Sequence, residues 1–170
     1  MDVLALIALA VMPVLVVVAG LHDLTTFRIP NWIPVSLAAA FVPAALLIGL
    51  SPVQTAVHLG VGLAALVVGM GLFALRWVGG GDAKLIAAAS LWLGLGGLAP
   101  FLIWTAVFGG LLSLALLSAR KYIPFAPGAP PWAVRLLEPK GGAPYGVAIA
   151  AGALMAFPHA PLFILRATGG

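Results

Sequence analysis

Six apolar stretches dominate this sequence and leave few folds open to it, five of them uncharged and near the length of a membrane-crossing helix and the fourth, which opens on Lys84, rather short unless the segment before it contributes. They cover about residues 3–20, 32–50, 54–75, 84–97, 100–118 and 144–165. Crossing the hydrocarbon of a bilayer takes ~20 mostly apolar residues in a helix. Only 7% of the chain is charged and its mean hydropathy is +1.22. A soluble domain carries roughly 25% charged residues, so this chain cannot coat a water-facing surface. The first stretch does not read as a secretory signal, because the only charge ahead of it is Asp2 and no basic segment precedes it. The expected fold is all-α: a polytopic membrane bundle of six transmembrane helices, forming one integral membrane domain over residues 1–170.

Charge placement sets the expected orientation. Arg28, Arg76, Lys84, Arg120, Lys121, Arg135 and Lys140 all fall on alternate connections, 22–31, 76–84 and 119–143. The intervening connections, 51–53 and 94–99, carry no charge. By the positive-inside rule the basic connections are cytoplasmic, and an even helix count then puts both termini on the other side. Arg166 is the one cation outside this pattern. The net charge of +4 is thus read as membrane orientation, and no nucleic-acid partner is expected. The long loop at about 119–143 is Pro-rich. Its stretch 132–137 reads either as a segment lying along the headgroups or as part of a solvated tether. Trp32, Trp77 and Trp132 near span ends read as interfacial anchors, and Gly62, Gly69 and Gly109 as close helix contacts. With no cysteine in the chain there is no disulfide, no thiol nucleophile and no Cys-based zinc site. His22, His58 and His159 are widely separated, so neither a metal nor a cofactor is expected.

Four carboxylates exist in the chain, and each can be weighed by itself. Asp2 reads as terminal and solvated, and Glu138 as a loop ion-pair partner of Arg135 and Lys140. Asp23 follows the first span, in Gly20-Leu21-His22-Asp23, and Asp82 closes Gly79-Gly80-Gly81-Asp82 before the fourth. The topology puts both at one membrane face, and ionisable groups at membrane depth are functional candidates by default. Two carboxylates held close share one proton. One then serves as general base toward a water while its protonated partner polarises a carbonyl. Read from spacing alone, Asp23 serves equally well as a loop acid paired with Arg28, and Asp82 as an N-cap paired with Lys84. The glycine run lacks the Gly-Lys-Ser/Thr ending of a phosphate-binding loop.

Three blocks together resemble the type IV prepilin peptidase family. They are Asp23 with Arg28-Ile29-Pro30-Asn31, then Gly79-Gly80-Gly81-Asp82-Ala83-Lys84, then Ala143-Pro144-Tyr145-Gly146-Val147-Ala148. The resemblance implies an aspartic endopeptidase whose catalytic pair is Asp23 and Asp82. It implies supporting or substrate-binding roles for Arg28, Pro30, Asn31, Gly79, Gly81, Lys84, Pro144, Tyr145 and Gly146. The implied substrate is a prepilin-like membrane protein, cut behind its short basic leader at the cytoplasmic face of the inner (plasma) membrane. Larger members carry a zinc-binding Cys region and N-methylate the new N-terminus. This chain lacks that region and resembles the short, peptidase-only form of Flp/Tad-type pili or of archaeal preflagellin peptidases. Two other classes remain open on the residues themselves: a small proton- or cation-coupled transporter using the Asp pair, and a non-enzymatic scaffold of a secretion system. Oligomeric state is not legible.

Overall fold

The structure is a computed structural model and describes residues 3–122, 128, 130–139 and 141–167. Asp2 and Lys140 lie outside the described residues, as does part of the 119–143 loop. The described residues form helices without strands: α1 (Val3–Thr26), α2 (Trp32–Ile48), α3 (Pro52–Ala74), α4 (Gly80–Tyr122), α5 (Pro131–Leu137), α6 (Tyr145–Ala156) and α7 (Pro161–Ala167). A 3-10 turn, Phe157–His159, separates the last two.

Three of these helices, α1, α3 and α4, are long and apolar enough to cross a membrane, and the pair α6–α7, bent by 43°, makes a fourth if counted as one span. The 17-residue α2 is ~26 Å long, slightly short of a ~30 Å hydrocarbon core. The stretches 84–97 and 100–118 correspond to the two arms of α4, two helices that meet at a kink. The break falls at Gly94, whose φ of 57° and ψ of −167° leave the helical region and which is the first residue of the connection expected at 94–99. In a straight helix residues 82 and 109 would stand ~40 Å apart, yet Asp82 and Gly109 line one cavity. The chain therefore reverses at Gly94 and its arms run side by side.

A buried side chain locks this reversal. The His58 ring occupies the space where a Cβ at residue 94 would sit, only 2.6 Å from its Cε1. His58 Nδ1–H donates 2.8 Å to Leu91 O, one of the carbonyls that a helix end leaves without an intrahelical partner. The same ring stacks on Phe41 of α2, centroids 5.4 Å apart.

The other helices pack around these arms. Helix α3 lies along the first arm, Gly62 against Leu91 and Gly69 against Ala83, and α6 lies along the second, with Gly109 against the Tyr145 ring. The core joins Met12 and Val16 of α1, Leu37 and Phe41 of α2, Leu85 and Trp92 of α4, and Ile149 and Ala153 of α6. Trp92 is fully buried, and its Nε1–H donates 2.8 Å to Leu37 O. Trp32, Trp77 and Trp132 are exposed. Leu4, Ile7, Leu63, Val67 and Leu114 are also exposed, as expected of helices whose outer faces meet lipid rather than water.

Candidate active site

Asp23 reaches the interior because of its helical register. The buried residues of α1 are Ala5, Ala8, Leu9, Met12, Val16, Ala19, Gly20 and Asp23, a stripe at three- and four-residue spacing that faces the core. Asp23 is the last member, one turn before the helix ends. Phe27 then takes a left-handed φ of 56°. Its amide donates 2.8 Å to Asp23 O.

The partner of Asp23 comes from the far end of the chain. Gly146 N–H donates 2.8 Å to Asp23 Oδ2. Gly146 is the second residue of α6, so this amide is one of the helix's otherwise unpaired first donors, and the positive end of the helix dipole faces the carboxylate. Only glycine fits there. A Cβ at residue 146 would stand 2.8 Å from Asp23 Cβ and 2.9 Å from Oδ2. Pro144 is buried just ahead of the helix, while Tyr145 is exposed. The Tyr145 hydroxyl is 3.0 Å from Ser113 Oγ of the second arm.

Asp82 lies in the first turn of α4 and is partly buried. Its Oδ2 rests against the Gly79 backbone, where a Cβ would come within 2.7 Å. The carboxylate opens on a cavity of about 430 Å³ lined by residues that include Ile86, Thr105, Gly109 and Tyr145. Tyr145 of α6 lines the same cavity and the next residue, Gly146, holds Asp23, so the two acids belong to one corner of the bundle.

The connection after α1 covers this corner. Ile29 packs on Gly81, where a Cβ would lie 3.1 Å from Ile29 Cβ. Lys84 Nζ donates 2.9 Å to Asn31 Oδ1, so among the described residues Lys84 does not form the ion pair with Asp82 that spacing left open. Arg28 is exposed, and its backbone carbonyl accepts from His22 Nδ1 at 2.9 Å. Pro30 O accepts from Ile33 N at the start of α2. Arg28 makes no ion pair with Asp23 among the described residues. Glu138 is exposed, and Arg135 lies over the Phe27 ring, 4.8 Å to its centroid.

All three blocks singled out in the sequence thus meet at one end of the bundle. His22, Ser113 and Thr105 join them without having been anticipated. Arg120 does as well, donating from Nε to Leu136 O at 3.0 Å and from its guanidinium to Gly142 O at 2.8 Å. Nothing in the spacing of these residues points to them. Two carboxylates at one corner, one held by a backbone amide and one facing a cavity, can between them activate a water and polarise a peptide carbonyl.

The sequence model of the type IV leader peptidase family matches residues 10–114. That region includes Asp23 and Asp82 and ends before the 143–148 block. No curated protein and no solved structure matches the chain.

Proposed function

Since the chain belongs to the type IV leader peptidase family, we propose that Asp23 and Asp82 form the catalytic dyad of an aspartic endopeptidase that removes the short basic leader of prepilin-like substrates. The observation that carries this reading is the meeting of Asp23, Asp82 and the Gly146 amide in one corner, assembled from three separated stretches of sequence.

The chemistry follows from the pair. A water between the two carboxylates loses a proton to the ionised one and attacks the scissile carbonyl. The protonated partner donates to the carbonyl oxygen as charge develops there. The tetrahedral adduct collapses with proton transfer to the leaving nitrogen, releasing the leader with a new carboxylate and the mature chain with a new amine. Base and acid are roles of the pair, which titrates as a unit. The scissile segment must be extended, because an intact helix hides its carbonyls in i to i+4 bonds.

Placement supports the cytoplasmic face. The acids sit in the last turn of α1 and the first turn of α4. Lys84, Arg120 and Arg135 contact residues of the same corner. By the positive-inside rule this basic end is cytoplasmic. Helix ends are also a poor place for an ion-coupling pair, which belongs near the midplane. With the reversal at Gly94, each arm of α4 supplies one span. Together with α1, α2, α3 and α6–α7 this gives six spans in the inner (plasma) membrane and both termini outside the cytoplasm. Lacking any cysteine, the protein acts as a peptidase without N-methyltransferase activity, assisting pilus assembly or secretion.

The test is leader removal from a purified prepilin in detergent, with mass spectrometry of the product. Cleavage behind the leader, with an unmethylated new N-terminus, is expected, and intact prepilin after prolonged incubation with folded protein overturns the reading. Single cysteines at positions 28 and 80 should label only from the cytoplasmic side, and one at position 51 only from the other.

A further inference from the structure

Helix α3 packs extensively only on α4, so its flanks are open. On one flank a trough of about 500 Å³ lies between α3 and the two arms of α4. Gly60, Ala64 and Val68 of α3 form one wall, Leu98 and Leu102 of the second arm the other, and Ser90 lies along its length. The trough is continuous with the cavity at Asp82, because Val78, Ile86 and Leu102 line both. From Asp82 to Leu95, its farthest residue on this side, a helix rises ~20 Å, about two-thirds of a ~30 Å hydrocarbon core.

Among the described residues that line the trough, Ser90 is the one with a polar side-chain atom, and that atom is fully enclosed by the protein, so the trough offers an occupant an apolar surface.

We propose that this trough seats the apolar membrane helix of the substrate protein. The inference rests on the peptidase reading of Asp82 and adds where the uncut chain lies. The occupant must present a peptide at Asp82 and continue ~20 Å into the hydrocarbon. An acyl chain offers no peptide at Asp82, whereas a membrane helix joined to its leader presents one and continues into the hydrocarbon. The small residues of the walls let a helix backbone approach closely.

Gly60 gives a way to block the trough from within. A Cβ at this position meets nothing within 4 Å and Gly60 lines the trough, so Gly60→Leu adds a side chain to the trough wall. Two substrates are compared: full-length prepilin in lipid nanodiscs, and a soluble peptide spanning leader and cleavage site but lacking the membrane helix. With Gly60→Leu the ratio of full-length to short-peptide kcat/KM should fall at least about tenfold. Ala38→Leu narrows the separate groove between α2 and α3 and should leave that ratio as it is. An unchanged ratio with Gly60→Leu, or its collapse with Ala38→Leu, overturns the proposal. Wild-type protein that cuts neither substrate overturns the peptidase reading beneath it. A photo-crosslinking residue in Asp82→Asn protein gives an answer independent of rate. Position 68 should capture uncut prepilin, and capture at position 35 in the other groove would refute the assignment.

Discussion

Each end of the bundle has a glycine that makes room for a buried polar side chain, and the two pairs are opposite in polarity. At one end the Asp23 carboxylate accepts the Gly146 amide at the start of a helix. At the other the His58 ring fills the space beside Gly94 and donates to Leu91 O where a helix stops. An acid meets the donors of a helix N-terminus and an imidazole N–H meets a freed carbonyl of a helix C-terminus, the pairing each terminus favours. The consequences differ. His58 is enclosed by α2, α3 and α4, has one partner and fixes a turn. Asp23 is satisfied on one oxygen and stands beside a second acid that faces an open cavity. A polar group under the membrane surface is thus architectural where the packing closes around it, and chemical where a second ionisable group and free volume lie alongside.

That contrast can be broken at several points. The largest effect belongs to the acids. Asp23→Asn, Asp82→Asn and the double variant should each lose about 10³-fold or more in prepilin cleavage, with the double no worse than the singles. Melting profiles in detergent should stay close to wild type, and a folded single variant with near-native turnover would dissolve the distinction between the two ends. Next comes Gly146→Ala. Its methyl must displace the Asp23 carboxylate, and a misplacement near 1 Å costs roughly 10²-fold in rate; the expected signature is lower kcat with a modest change in melting temperature. Gly94→Ala should do the reverse. A positive φ with an extended ψ, open essentially to glycine alone, costs another residue about 1–3 kcal/mol, and the displaced His58 ring adds to it, so melting falls while the folded fraction keeps its specific activity. Equal loss of activity per folded molecule at Gly94 and Gly146 would mean that the two ends are not separable. Smallest is Glu138→Gln, an exposed change expected within about twofold of wild type in cleavage.

The parts of this molecule that could be read from the sequence are those governed by local periodicity. The α1 stripe that ends on Asp23 repeats at helical spacing, and the three blocks around Asp23, Asp82 and Gly146 stand out as strings of unusual residues in an apolar chain. What could not be read depends on partners distant in sequence. Residues 94–100 hold three glycines and a proline, any of which could end a helix. Gly94 is where the chain turns because His58, on another helix, occupies the missing Cβ. The 144–165 stretch reads as one span, yet Pro158 and Pro161 split it, each lacking an amide donor. That Lys84 would seek Asn31 rather than the neighbouring acid is likewise a matter of how the connection after α1 folds across the start of α4.

The bond between Asp23 and Gly146 spans 123 positions of chain, which sets a waiting time during synthesis. At ~5–20 residues per second, roughly 6 to 25 s separate the appearance of the acid from that of its amide. An unpartnered carboxylate stranded mid-bilayer for so long would oppose insertion of the first helix. One turn from the end of α1, with the exposed Thr25 and Thr26 just beyond it, it can stay hydrated until α6 arrives. The order of manufacture and the position of the acid are therefore compatible without a chaperone for the nascent helix.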